Sequence, residues 1–242
     1  MKVSFKRAAA GLAALAAAAS GALLLSARAA EDGYVLHINK DAYVCASPFV
    51  ADYTLTGEDG QTVFSGEDFV EVYHLTADGA GEQDVSIAAY SVNIDAEAPE
   101  KAGYRRVGLE DSGCFSAETA GKLRAIVQWS YPHKDVSAIQ AAANPWLQSH
   151  GLPEIRHLQR GEAVLAAQLA IWELTNQGKF TVNEYLSGWE DMTTPGWRNY
   201  LRKVTNADVS REPLTEDSAA NVAGLYRCLL YTSDAADEAR SV

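Results

Sequence analysis

The sequence predicts an α+β domain: an antiparallel sheet lobe, β-sandwich-like or barrel-like, with a helical lobe packed against it. Three observations carry this. Segments of alternating, β-branched character crowd the first half of the chain and helical patterns the second. A hairpin signal, Gly57-Glu-Asp-Gly-Gln61, separates two of the strand segments. The run from Glu162 to Thr175 repeats its apolar residues at helical spacing.

Taken in order, Met1 to about Ala30 reads as a secretory signal peptide. Lys2, Lys6 and Arg7 give a positive start, Ala8 to Leu25 is apolar, and Ala27 and Ala29 supply the small residues of a cleavage site. Gly11, Gly21 and the many alanines make the run too weakly apolar for a good membrane span. Cleavage leaves a domain expected over residues 31–227. Tyr34 to Ile38, Val50 to Leu55, Thr62 to Phe64, Phe69 to Leu75 and Val85 to Ile94 are the expected strands. Phe69, Glu71, Tyr73 and Leu75 fall on one side, and Val70, Val72 and His74 on the other.

The pattern changes near Gly113. Ser116 caps a helix that carries Glu118 in its first turn and ends before Tyr131-Pro132. A second helix is expected over Val136 to Ala143, and Asn144-Pro145 begins a short further one. The Glu162 helix ends near Asn176-Gln177-Gly178. Thr194-Pro195 starts another, and Thr215 to about Tyr226 forms the last. The segment Cys228 to Glu238 is similar to the in-frame translation of a transposon-end sequencing adapter. Residues 228–242 are therefore expected to lie outside the natural sequence, whose own carboxyl end is missing.

Composition narrows the function. Removing Lys2, Lys6, Arg7 and Arg28 with the leader takes the net charge from −12 to about −16. An acidic surface of that size excludes nucleic acid as a partner, and nothing beyond the leader predicts membrane contact by the mature domain. Five histidines show no ligand spacing with cysteine or acid, so no metal and no cofactor is expected. There is no GxSxG, phosphate-binding glycine loop or HExxH. Cys45 and Cys114 could pair after export.

The residue that invites a chemical reading is Gln168. It shares the stripe of Val164, Ala167, Ile171, Trp172 and Thr175, where an unpartnered carboxamide costs about 1–3 kcal/mol. It is either a core glutamine bonded to neighbouring backbone or a reactive group.

Ala166-Ala-Gln168-Leu-Ala170-Ile171-Trp172-Glu173 resembles the glutamine helix of the thioester domains of Gram-positive surface adhesins. Leu123 to Ile126 with Ser130-Tyr131-Pro132, Tyr104 to Asp111, and Glu154 to Ala163 resemble other segments of that family. The resemblance covers about Tyr34 to Tyr226. It implies an internal thioester between a strand cysteine and the helix glutamine, through which the adhesin bonds covalently to nucleophiles on a host surface. It also implies a secreted, wall-attached protein whose partner is a host or neighbouring-cell surface protein, and which is not an enzyme. The sequence departs from the family at the sulfur: Ala89-Tyr90-Ser91-Val92 places Ser91 where the cysteine belongs. The expected site is thus Ser91 and Gln168, close but unlinked, with Tyr90, Tyr131 and Trp172 as pocket residues, Trp172 most simply as core. Glu173 reads as a solvated residue.

Two other functions remain open. Cys114, just before the Ser116 helix, could be a reactive thiol lowered by the helix amino end. With His133 or His157 it would make a secreted cysteine hydrolase or transferase. A structural spacer with no site is the third reading.

Overall fold

The computed structural model describes residues 15–18, 36–38, 45–56, 59–77, 86–94, 103–104, 107–177, 180–182, 215 and 217–238. The expected helix at Thr194-Pro195 lies outside the described residues. The strands are β1 (Leu15–Ala18), β2 (Leu36–Ile38), β3 (Cys45–Thr56), β4 (Thr62–Ala77), β5 (Ser86–Ser91) and β6 (Phe180–Val182). The helices are α1 (Ala117–Gln128), α2 (Val136–Ser149), α3 (Arg160–Thr175) and α4 (Ser218–Glu238). The fold is α+β.

The strands form one open antiparallel sheet in the order β1-β5-β4-β3-β6, with β2 also paired to β4. The expected sandwich or barrel closure has no counterpart among the described residues. The physical reason is the length of β4. Thr62 to Phe64 and Phe69 to Leu75, expected as separate strands, belong to this one strand of 16 residues. It pairs with β3 along its first part and with β5 and β2 toward its end. One long strand therefore joins the pairings that two sheets would otherwise divide. β1 lies inside the segment expected to be a leader, against β5, with Leu15 opposite Ser91.

Alternation along β4 and β5 divides the core as a period of two requires. Val70, Val72, Tyr90 and Val92 are buried among the helices. Leu75, Ile87 and Ala89 join Leu36 in a second cluster, with Tyr73 and Tyr104 packed against it.

α1 is capped as expected: the Thr119 amide donates to Ser116 Oγ at 3.0 Å. Its face of Ala120, Leu123, Ile126 and Val127 is buried. α2 differs from expectation. It is a single helix that runs through Asn144 and Pro145. Proline removes the donor that would pair the Ala141 carbonyl, but Ala141 is exposed, so water can take that acceptor. Asp135 caps α2, and the Ser137 hydroxyl and Ala138 amide hold its carboxyl below the usual range. The helix closes with Gly151 in the left-handed region (φ 65), the Leu152 amide donating to the Leu147 carbonyl and the Gly151 amide to that of Gln148.

α3 also departs from its expected amphipathic form. Every residue from Gly161 to Trp172 is buried. A helix enclosed on all sides packs between layers, and here α3 lies against β3, β4 and β6 on one side and α1 and α4 on another. Ala163, Ala166, Ala167 and Ala170 supply the close-packing surface that a two-sided pattern does not reveal.

The last helix begins at Ser218 and continues past Tyr226 to Glu238, with Cys228 and Leu229 in the main core. Its Asn221 is fully buried. Asn221 Nδ2 donates to the Arg156 carbonyl at 2.8 Å and to Glu162 Oε2 at 2.9 Å, and its Oδ1 accepts from the Arg156 amide at 2.9 Å. Removing this side chain takes a partner from the part-buried Arg156 amide and carbonyl and from the buried Glu162 carboxylate. Asn221→Ala is expected to lower the unfolding free energy by about 2–3 kcal/mol, measured by urea denaturation. A loss below about 0.5 kcal/mol would show that the Arg156 backbone and Glu162 find other partners.

Candidate functional site

In the segment before α3, Ile155 and Leu158 are buried between exposed residues and no strand among the described residues pairs with it, so its backbone needs partners other than a sheet. Side chains provide them. Asn144 Nδ2 donates to the Ile155 carbonyl at 3.1 Å, and the Ile155 amide donates to Asn144 Oδ1 at 2.9 Å. Asn221 grips Arg156 in the same two-handed way. The Leu158 amide donates to Gln140 Oε1 at 3.0 Å. At the helix start the Gln159 amide donates to Glu162 Oε2 at 3.0 Å. Glu162 is itself fully buried. These bonds fix where α3 begins and its rotation about its own axis.

That rotation aims Gln168 at the end of β5. Gln168 is 1% exposed. Its Nε2 donates to the main-chain carbonyl of Ser91 at 2.6 Å, across 77 residues of sequence. The two expected site residues are therefore in contact. The contact runs through the Ser91 backbone, while the Ser91 hydroxyl donates to the Asn93 carbonyl at 3.0 Å. No hydrogen bond among the described residues uses Gln168 Oε1.

Tyr90 is 1% exposed and donates its hydroxyl to the Tyr131 main-chain carbonyl. Tyr131 is half-buried against the main core, and its peptide bond to Pro132 is cis. Trp172 is 6% exposed and meets Phe180 edge-on with ring centroids 6.2 Å apart, which makes it core packing. Glu173 is not a plain solvated residue: it is half-buried, and its carboxylate accepts the Tyr226 hydroxyl. Trp129, at the end of α1, is 41% exposed, with Lys134 Nζ 5.5 Å from its ring centroid.

The alternative thiol is placed differently. Cys114 is exposed and carries a free thiol, so it is not paired with Cys45. Its Sγ lies 3.6 Å from the Ser112 carbonyl. Among the described residues no hydrogen bond joins it to His133 or His157. The Cys228 thiol is buried, and desolvation pushes its pKa up.

Chemically, the site offers an acyl group, the Gln168 carboxamide, fixed against a strand end that carries a hydroxyl. Asn144, Gln140 and Asn221 were missed from sequence. Amides that satisfy backbone show no periodic signal, and Asn144-Pro145 read only as the start of a further helix.

The family model described as TED: Thioester domain matches residues 88–229, more than half of the chain. The match begins on β5 just before Tyr90 and Ser91 and includes all of α3. No curated protein and no solved structure matches the chain.

Two outcomes follow from this geometry. Gln168→Leu keeps the apolar volume but leaves the Ser91 carbonyl without its donor, and is expected to cost about 1–3 kcal/mol by urea denaturation. A neutral result would mean that the carbonyl is satisfied elsewhere. Iodoacetamide on the native protein is expected to label Cys114 and to reach Cys228 only after denaturation, as read by peptide mass mapping. Native labelling at Cys228 would contradict the burial of α4.

Proposed function

The chain belongs to the thioester domain family, and from that premise we propose that it is the head domain of a secreted, wall-attached Gram-positive adhesin in which the thioester does not form. Its partner is a surface protein of a host or neighbouring cell. The attachment is non-covalent, and the domain performs no enzymatic turnover. The observation that carries the reading is the 2.6 Å bond from Gln168 to the Ser91 main chain. It brings the glutamine to the strand position where the family resemblance calls for sulfur.

On this reading, the chemistry of the two side chains supports an unlinked pair. In a thioester domain a thiolate attacks the glutamine carbonyl carbon, a C–S bond forms, the C–N bond breaks, and the amide nitrogen leaves as ammonia after gaining protons. A cysteine thiol with a pKa near 8.5 supplies some thiolate at neutral pH. A serine hydroxyl needs an adjacent general base. Ser91 Oγ instead donates to the Asn93 carbonyl, which cannot accept its proton in a reaction. The Gln168 carboxamide therefore stays intact. Export would remove β1 with the leader and open the β5 main chain beside Ser91 to a partner.

The exposed, singly placed Cys114 gives no comparable support to a hydrolase. A spacer role leaves the buried glutamine contact with structural work alone.

Intact-mass measurement of the mature protein is expected to show no loss of ammonia, and Ser91→Cys is expected to restore that loss, mapped to Gln168. Ammonia loss in the serine protein would overturn the reading. So would a folded Ser91→Cys protein that keeps its full mass while position 91 itself is labelled by thiol reagents in peptide mapping.

A further inference from the structure

Consecutive residues of β5 tie that strand to two different helices. Tyr90 points into the helical core and donates its hydroxyl to the Tyr131 carbonyl. Ser91 offers its own carbonyl to Gln168 on α3. The turn that receives Tyr90 is not a loose loop. It continues from α1: the Trp129 amide donates to the Ile126 carbonyl at 3.1 Å, Ser130 Oγ donates to the same carbonyl at 2.6 Å, and the Lys134 amide donates to the Ser130 carbonyl at 3.0 Å. Ser130 is buried. The Tyr131 carbonyl is thus fixed relative to α1, which itself packs on α3 and α4.

This arrangement defines a closed mechanical path. α3 carries Gln168, α1 carries the turn, and the end of β5 touches both. Tyr90 is the group that sets the strand end against α1. The adjacent residue then presents its carbonyl at the distance that the Gln168 amide requires. The paired register with β4 reaches only Ala89, and Tyr90 and Ser91 are paired only with β1, inside the segment expected to be a leader, so removal of that leader would leave both residues without a strand neighbour. Past Ala89 the position of the chain relative to the helices depends on what its side chains and carbonyls grip. A shift of about an ångström at this point would carry the 2.6 Å bond beyond hydrogen-bonding distance.

We propose that Tyr90 is a positioning residue for the Gln168 carboxamide, acting through the Tyr131 turn to hold the Ser91 carbonyl in place. The proposal rests on reading Ser91 and Gln168 as the site. Its test does not use thioester formation, so a failure of the cross-linking chemistry leaves it in force. The side chain of Tyr90 does not react. It governs where the acyl group stands, and hence the approach available to any nucleophile at position 91.

The experiment is hydrogen exchange by NMR on the isotope-labelled protein and on Tyr90→Phe, following the Gln168 side-chain amide beside the backbone amides of Leu169 and Ala170. The expected result is side-chain exchange faster by about fivefold, the factor that one typical hydrogen bond supplies, with the two backbone amides unchanged. A hydroxyl that merely adds stability would speed all three together or none, and either outcome overturns the proposal. Should Tyr90→Phe fail to fold, replacement of Tyr90 by 4-aminophenylalanine retains a weaker donor at the same point. A displaced Gln168 side-chain resonance is then expected, and an unmoved one overturns the proposal.

Discussion

A single hydrogen bond organises this domain: the Gln168 amide to the Ser91 carbonyl. A carboxamide in the middle of a helix that is buried on all sides must find a partner or cost about 1–3 kcal/mol. The partner it finds lies on a strand, so the helix cannot rotate or slide against the sheet without losing it. Ala163, Ala166, Ala167 and Ala170 by themselves define little register, which Val164, Leu165, Leu169 and Ile171 set only through packing. The polar contact supplies the specificity that those alanines lack.

The same logic explains the buried amides upstream of α3. An α-helix turns through about 100° per residue, so a one-residue error in its start would carry Gln168 away from β5. Asn144, Asn221 and Gln140 hold successive backbone groups of the approach, and Glu162 accepts the Gln159 amide at the first turn. Each bond by itself is ordinary. Together they fix the register of the helix six residues before the glutamine. The buried Glu162 belongs to this clamp, which connects α2, α3 and α4 through main chain.

Much of this was legible in the sequence because it rests on local rules. Ser116 capped its helix, the Tyr131-Pro132 boundary ended it, and the alternation of Val70 and Val72 against Tyr73 and Leu75 divided two faces correctly. The pairing of Gln168 with Ser91 was legible only through family resemblance, since no periodicity links positions 77 residues apart. What failed to show was set by tertiary context. α3 read as amphipathic because alanine marks neither a polar nor an apolar face. α2 read as broken because an interior proline loses a donor and crowds the carbonyl four residues back; the helix nonetheless runs through Pro145, where that carbonyl belongs to the exposed Ala141 and water can take it. The open sheet was hidden because Thr62 to Phe64 and Phe69 to Leu75 read as two strands, whereas residues 65–68 continue a single one.

The strand geometry sharpens what the serine means. Side chains alternate along β5, so Tyr90 enters the helical core while Ala89 joins the second cluster. Position 91 would face away from α3 if the strand stayed regular beyond its last residue. Val92 keeps the alternation by returning to the helical core, but the strand itself stops at Ser91 and a bend and turn follow to Ile94. At such an end a side chain can swing toward the helix or toward its own backbone, and the choice follows chemistry. A hydroxyl is a strong donor with a main-chain acceptor two residues away, and Ser91 takes it. A thiol is a weak donor and gains little from that carbonyl, which leaves it free to meet the carboxamide. On the proposed reading, a serine where the family resemblance calls for cysteine therefore acts twice. It weakens the nucleophile and supplies a local bond that holds the nucleophile aside, while the helix keeps its acyl group in place.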